Sequence, residues 1–178
     1  MGSKVCAIMH LSECDIDHLC SRYTATVHRW FPVVGDVDAL SQRSNGTANV
    51  DADTWMLFLS LHLIVQMYDR PKREDPSEID RLYLTSKSLF SFISSCRAPT
   101  VEHIQSGLLI GLYEHCQALH EAAYLSIGVC ARIGYLLGYD KSLSYNPKGE
   151  QGGDDMIHNQ RRVWWCIIIL ERFCLCDF

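Results

Sequence analysis

The sequence predicts an all-α fold of about six helices packed as antiparallel helical hairpins. Apolar residues recur every three or four positions through most of the chain, and no stretch alternates polar and apolar residues for long enough to make a strand. Small residues also stand where such helices would meet, Gly107 and Gly111 on one and Ala122, Ser126 and Gly134 on the next. Side chains without bulk let helix axes approach closely.

Taken in order, residues 4–30 read as helical, and a loop follows Pro32. The stretch "GDVDALSQRSNGTANVDAD" (35–53) is rich in Gly, Asn, Asp and Ser and reads as loop. From about Asp53 to Tyr68 the run "WMLFLSLHLIVQMY" is apolar nearly all round, which predicts a central helix. "DRPKREDP" breaks it, and Ser77 with Asp80 makes a capping-box start for a helix to about Cys96. Thr100 can cap the next helix, whose Val101, Ile104, Leu108 and Leu112 share a face. Another follows from about Leu119 to Leu137, then a loop over 138–153, then a last helix from about Asp155.

Composition sets limits on function. A chain of 178 residues has room for one domain and a real core. Its net charge of −5 argues against a large nucleic-acid surface, which needs a basic face. The densest basic group, Arg70, Lys72 and Arg73, runs straight into Glu74 and Asp75 and reads as a solvated loop. The opening "MGSKVCAIMHLSECD" has no apolar leader core, and Cys6 stands where a myristoylation signal wants Ser or Thr. The apolar run Val163 to Leu170 is far short of the roughly 20 residues a bilayer demands. Nine irregularly spaced cysteines are expected to stay reduced, in an intracellular setting.

No catalytic, cofactor-binding or metal-ligating residue is assigned. Cys6, His10, Cys14 and His18 are ligand types at four-residue steps, so adjacent pairs could share an ion. Each step turns the helix face by about 40°, so the four cannot converge on one tetrahedral site. Cys-x-x-Cys, Gly-x-Ser-x-Gly, His-Glu-x-x-His and phosphate-cradling glycine loops are all missing from the sequence. Arg161 and Arg162 open "RRVWWCIIIL", whose apolar part covers every face of two turns. A DNA-reading helix must keep a polar face, so this one is expected to be a buried core helix. Its arginines are expected to make a salt bridge or a carbonyl contact with a neighbouring helix.

Three stretches, as an ordered set, resemble the fungal-specific transcription factor domain, the middle homology region of fungal zinc-cluster regulators. "VHRWFPVVGD" (27–36) is similar to its His-x-x-aromatic-Pro entry segment. "TVEHIQSGLLIGLYEHCQALHEAAYLSIGVCARIGYLLGYDKS" (100–142) resembles its Val-Glu-x-aliphatic-Gln helix and the Ala-Arg…Leu-Gly helix that follows. "RRVWWCIIILER" (161–172) resembles its Arg-Arg-x-Trp-Trp helix. The resemblance places a family-motif core at Glu102, Gln105, Leu109, Tyr113, Ala131, Arg132, Leu137, Gly138, Arg161, Arg162, Trp164, Trp165 and Arg172. It divides the chain into an N-terminal helical extension, 1–22, and a partial regulatory domain, 23–178.

Two departures limit what can be carried over. The family's regulators carry a binuclear zinc cluster with paired Cys-x-x-Cys, and the cysteines at 6, 14 and 20 do not fit that spacing. Glu171 stands where Asp is usual, and the sequence stops before the family's Gly-Arg-Pro turn, so a C-terminally truncated helical domain is expected. The resemblance therefore implies a nuclear, transcription-regulator-like protein for a metabolic or secondary-metabolite gene set. It would act through another regulator or coregulator, without direct DNA binding and without a membrane. Two alternatives stay open. One is a solenoid-like protein-interaction module, although segments 77–98, 100–116 and 118–138 share no repeat. The other is a domain that binds a small-molecule effector among Trp55, Tyr113 and Trp164.

Overall fold

The computed structural model of the protein describes residues 13–46, 51–69, 76–141 and 154–176. Every element there is helical: α1 (Glu13–Ala25), a three-ten turn (Val27–Arg29), α2 (Val37–Gly46), α3 (Ala52–Asp69), α4 (Pro76–Cys96), α5 (Val101–Cys116), α6 (His120–Leu136) and α7 (Asp154–Cys176). The all-α expectation holds among the described residues, with seven α-helices instead of about six. The basic loop at 70–75 and most of the loop at 138–153 lie outside the described residues, as do the side chains of Ser77 and Asp80.

The first long helix is shorter than expected. In α1, Ile16, Leu19, Cys20 and Tyr23 form one buried stripe. The helix ends at Ala25 instead of running to residue 30. Thr24 and Thr26 turn their hydroxyls onto carbonyls one turn back, Thr24 onto Cys20 O (2.9 Å) and Thr26 onto Arg22 O (2.7 Å). The chain then tightens through the three-ten turn into Phe31 and Pro32.

The seventh helix, α2, lies inside the segment that reads as loop from sequence, and that reading is corrected. Asp36 accepts a hydrogen bond from Ala39 N through Oδ1 (2.8 Å), which satisfies a free donor of the first turn. Val37 and Leu40, three apart, are then buried against the core. Two anchors and a cap outweigh the loop-like composition of "SQRSNG".

The centre of the molecule is α3 with α5. Met56 to Leu61 are buried without interruption, as are His103 to Glu114, so each of these helices is covered on nearly all sides. Sequence neighbours do pack together, α3 with α4, α4 with α5, α5 with α6 and α6 with α7. However, α5 packs as broadly on α3, two elements earlier, as on α6. A succession of hairpins therefore does not describe the whole. The helices surround an α3–α5 pair, with α1 and α2 on one side and α6 and α7 on the other.

The small residues sit at these crossings. A Cβ on Gly107 would lie 2.4 Å from Cys130 Sγ and 2.6 Å from Phe90 Cζ, and one on Gly134 would lie 2.9 Å from the Trp164 ring. A polar cluster ties α4, α5 and α6 together. Glu114, fully buried, accepts from Tyr83 Oη (2.7 Å), Lys87 Nζ (2.6 Å) and Ser126 Oγ (2.6 Å). The Lys87 ammonium also donates to Ser126 Oγ.

Candidate functional site

The segment after Pro32 crosses the entry to α5 and the first turns of α7, and a cavity of about 540 Å³ opens between them. Its apolar wall comes from Val34, Leu40, Leu57 and Val101, and its polar wall from Asp36, Arg43, Glu102, Gln105, His158, Asn159 and Arg162. Gln105 is buried, and its Nε2 donates to Val33 O (3.0 Å), which fixes the post-Pro32 segment on α5. Arg43 of α2 donates to Glu102 Oε1 of α5 (3.1 Å). The two carboxylates of the wall are thus both engaged, Glu102 by Arg43 and Asp36 by the start of α2.

Arg162 is held differently. Its Nη2 donates to Asn159 Oδ1 one turn earlier in α7 (3.0 Å), while its Nε is buried and makes no hydrogen bond. No carboxylate pairs with it among the described residues. The guanidinium lies on the backbone of Gly35, where an added Cβ would fall 2.2 Å from Nη2 and 2.7 Å from Cζ. For Arg162 the expected salt bridge or carbonyl contact with a neighbouring helix is therefore corrected, because the close approach to Gly35 places the group on the post-Pro32 segment instead. His28 stands nearby, and its pKa is lowered from the ordinary 6.5 by burial and then by the charge of Arg162.

Of the family-motif residues, Glu102, Gln105 and Arg162 meet at this cavity, and the others lie elsewhere. Leu109 and Tyr113 are core residues of α5, and Tyr113 stacks on Tyr83 with ring centroids 5.3 Å apart. Ala131 and Arg132 of α6 border a smaller cleft of about 210 Å³ shared with Glu171 and Cys174 of α7. Leu137 and Gly138 close α6. Gly138 takes φ +74°, and Gly138 N and Tyr139 N donate to Tyr135 O (3.1 Å) and Gly134 O (2.9 Å). Trp164 is buried, edge-on to Tyr135 at 4.9 Å, whereas Arg161 is half-buried and Arg172 exposed.

Two further expectations are corrected. Trp55, Tyr113 and Trp164 line none of the described cavities together: each packs against a different ring, Phe58, Tyr83 and Tyr135 respectively, and none borders the 540 Å³ cavity. Nor is α7 buried all round. Val163, Trp164, Cys166, Ile167 and Leu170 face the core, but Trp165 and Ile169 are 53% and 43% exposed, because no described element packs on that side.

Among the described residues no group of three His, Cys, Asp or Glu side chains could hold a metal ion, and no helix is long and apolar enough to cross a membrane. Cys6 and His10 lie outside the described residues, as does the Cys14 side chain, and His18 is exposed on α1. The described cysteines 20, 96, 116, 130, 166 and 174 are not in disulfides. Sequence reasoning did not single out Gly35, Arg43, His158 or Asn159. A signal existed for the last two, which stand four and three residues before Arg162 on one helix face.

Comparison with known proteins gives the same direction as the sequence. Transcription factor BOA15 of Botryotinia fuckeliana (strain B05.10) is 27% identical over 124 residues, covering 70% of this chain and 67% of that protein. The ascochitine biosynthesis cluster transcriptional regulator of Didymella fabae is 36% identical over 72 residues, covering 39% of this chain and 12% of that protein. No solved structure matches. Residues 20–178 match the family described as the fungal specific transcription factor domain, and the chain belongs to that family.

Proposed function

We propose that this chain is the regulatory helical part of a fungal transcription regulator, without enzymatic activity of its own. It works in the nucleus on a metabolic or secondary-metabolite biosynthetic gene set. It acts through another regulator or coregulator and not through a zinc cluster of its own. The family match over residues 20–178 carries this reading. The Didymella fabae relative, named for a biosynthetic cluster, supports the gene-set part. The net charge of −5 supports the indirect route to DNA.

The test has two arms. Fused to an unrelated DNA-binding domain and expressed in a fungal nucleus, the chain is expected to change a reporter's output several-fold. An unchanged reporter, with the fusion present in the nucleus, sinks the regulatory reading. The purified chain alone is expected to give no salt-sensitive, sequence-selective DNA complex at submicromolar concentration, and finding one sinks the indirect route.

A further inference from the structure

We infer that the 540 Å³ cavity is a binding site for a small organic acid with an apolar body, whose carboxylate pairs with the guanidinium of Arg162. The volume falls in the range of small-molecule sites, roughly 300–1,000 Å³. The charge arrangement at the wall identifies the ligand's sign. Glu102 is paired with Arg43, Asp36 accepts from Ala39 N, and neither carboxylate forms an ion pair with Arg162. The guanidinium keeps one neutral hydrogen bond, to Asn159, and forms no ion pair among the described residues. A partly buried cation in that state is costly, and a planar carboxylate matches its fork with two parallel hydrogen bonds.

The group is also preorganised. Asn159 holds one edge and the guanidinium rests against the backbone at Gly35, so part of its side-chain freedom is already given up before binding. Val34, Leu40, Leu57 and Val101 supply a wall that a hydrated inorganic anion would leave unused, and this favours an organic acid over phosphate. The site brings together residues 35, 105 and 162, so an occupant would tie the post-Pro32 segment, α5 and α7 to one another. The inference goes beyond the transcriptional reading, and each can fail alone: a silent reporter leaves binding data untouched, and absent binding leaves reporter output untouched.

The experiment uses the full chain with benzoate and hexanoate as probes, their uncharged amides as matched controls, and inorganic phosphate at equal ionic strength. Binding is followed by amide chemical shifts and by thermal stabilisation. At least one acid is expected to bind saturably, with Kd on the order of 1 mM for so small a probe, and to shift the Gly35 and Gln105 signals. The amides and phosphate are expected to bind at least about tenfold more weakly, a difference of about 1.4 kcal/mol. Arg162→Gln is expected to abolish the response and Gly35→Ala, which displaces the guanidinium, to weaken it, while Arg29→Gln leaves it intact. If Arg162→Gln fails to fold, the acid–amide comparison on the unaltered chain decides alone. Amides or phosphate binding as tightly as the acids, shifts confined to other regions, or no saturation by roughly 50 mM acid overturns the inference.

Discussion

Lys87 and Glu114 show how much one buried charge commits the residues around it. Glu114 has no exposure, and three side chains from two other helices meet its carboxylate, with Lys87 itself 32% exposed at the edge. Lys87→Met therefore leaves a carboxylate in the interior with only neutral donors. The expected loss is about 3 kcal/mol, the low end for breaking a buried pair, because Lys87 reaches solvent. Urea denaturation of the two proteins measures it, and a loss below about 1 kcal/mol would show that the hydroxyls suffice. His103 gives a pH signature. It is buried, stacks on Phe90 at 4.6 Å, pairs with Ser94 through Nε2 (2.7 Å) and has no partner at Nδ1. Burial lowers its pKa from 6.5, against an opposing pull from Asp53. The unfolded chain therefore takes up the proton first. Stability is complete above about pH 6.5 and falls as the pH drops below it towards the folded-state value. Melting between about pH 7.5 and 5.5 should show this decline, flatter in His103→Gln; an unchanged slope would assign the decline elsewhere, with His28 next in line.

At the scale of the element, the junction between α5 and α6 stores strain that a single substitution can release. Ala118 sits at φ +59°, and Ala118 N and Leu119 N donate to His115 O (3.0 Å) and Glu114 O (2.9 Å). The same closure at the end of α6 uses glycine, Gly138. An alanine in the left-handed region costs roughly 1 kcal/mol over glycine, less the greater freedom glycine has when unfolded. Ala118→Gly is expected to raise Tm by about 1 °C, and calorimetry showing a lower Tm would contradict the strain. Such details mark how far the sequence could be read. Helices α3 to α7 were legible because their apolar spacing and boundary signals, the Thr100 cap above all, agree with the tertiary result. The helix α2 was not, since it rests on one cap and two buried side chains in a polar stretch. The cavity was hidden for another reason. Glu102, Gln105 and Arg162 could be named from the resemblance, but their meeting at Gly35 depends on how α5 and α7 cross the post-Pro32 segment, which no spacing encodes.

Among the described residues, large apolar side chains left to water are commonest on α6 and α7. The α3–α5 centre is closed on nearly all sides, while α6 shows Tyr124, Leu125, Tyr135 and Leu136, and α7 shows Trp165, Ile169, Phe173 and Leu175. Single exposed apolar residues are ordinary, but this many on two adjoining helices form surface of the kind that drives association. Because these side chains already meet water, replacing them removes little packing. Trp165 and Ile169 are four apart on α7, so Trp165→Glu with Ile169→Lys also sets an acid before a base at helix-pairing distance. The doubly substituted chain is expected to keep its stability within about 0.5 kcal/mol, the usual range for surface changes. Light scattering should show less association as protein concentration rises, and binding of a hydrophobic dye should fall with it. Equal association in both proteins would clear this face of the effect. A large drop in Tm would mean that Trp165 and Ile169 contribute to the core after all, and that α7 is held on more of its circumference than the side facing α5 and α6.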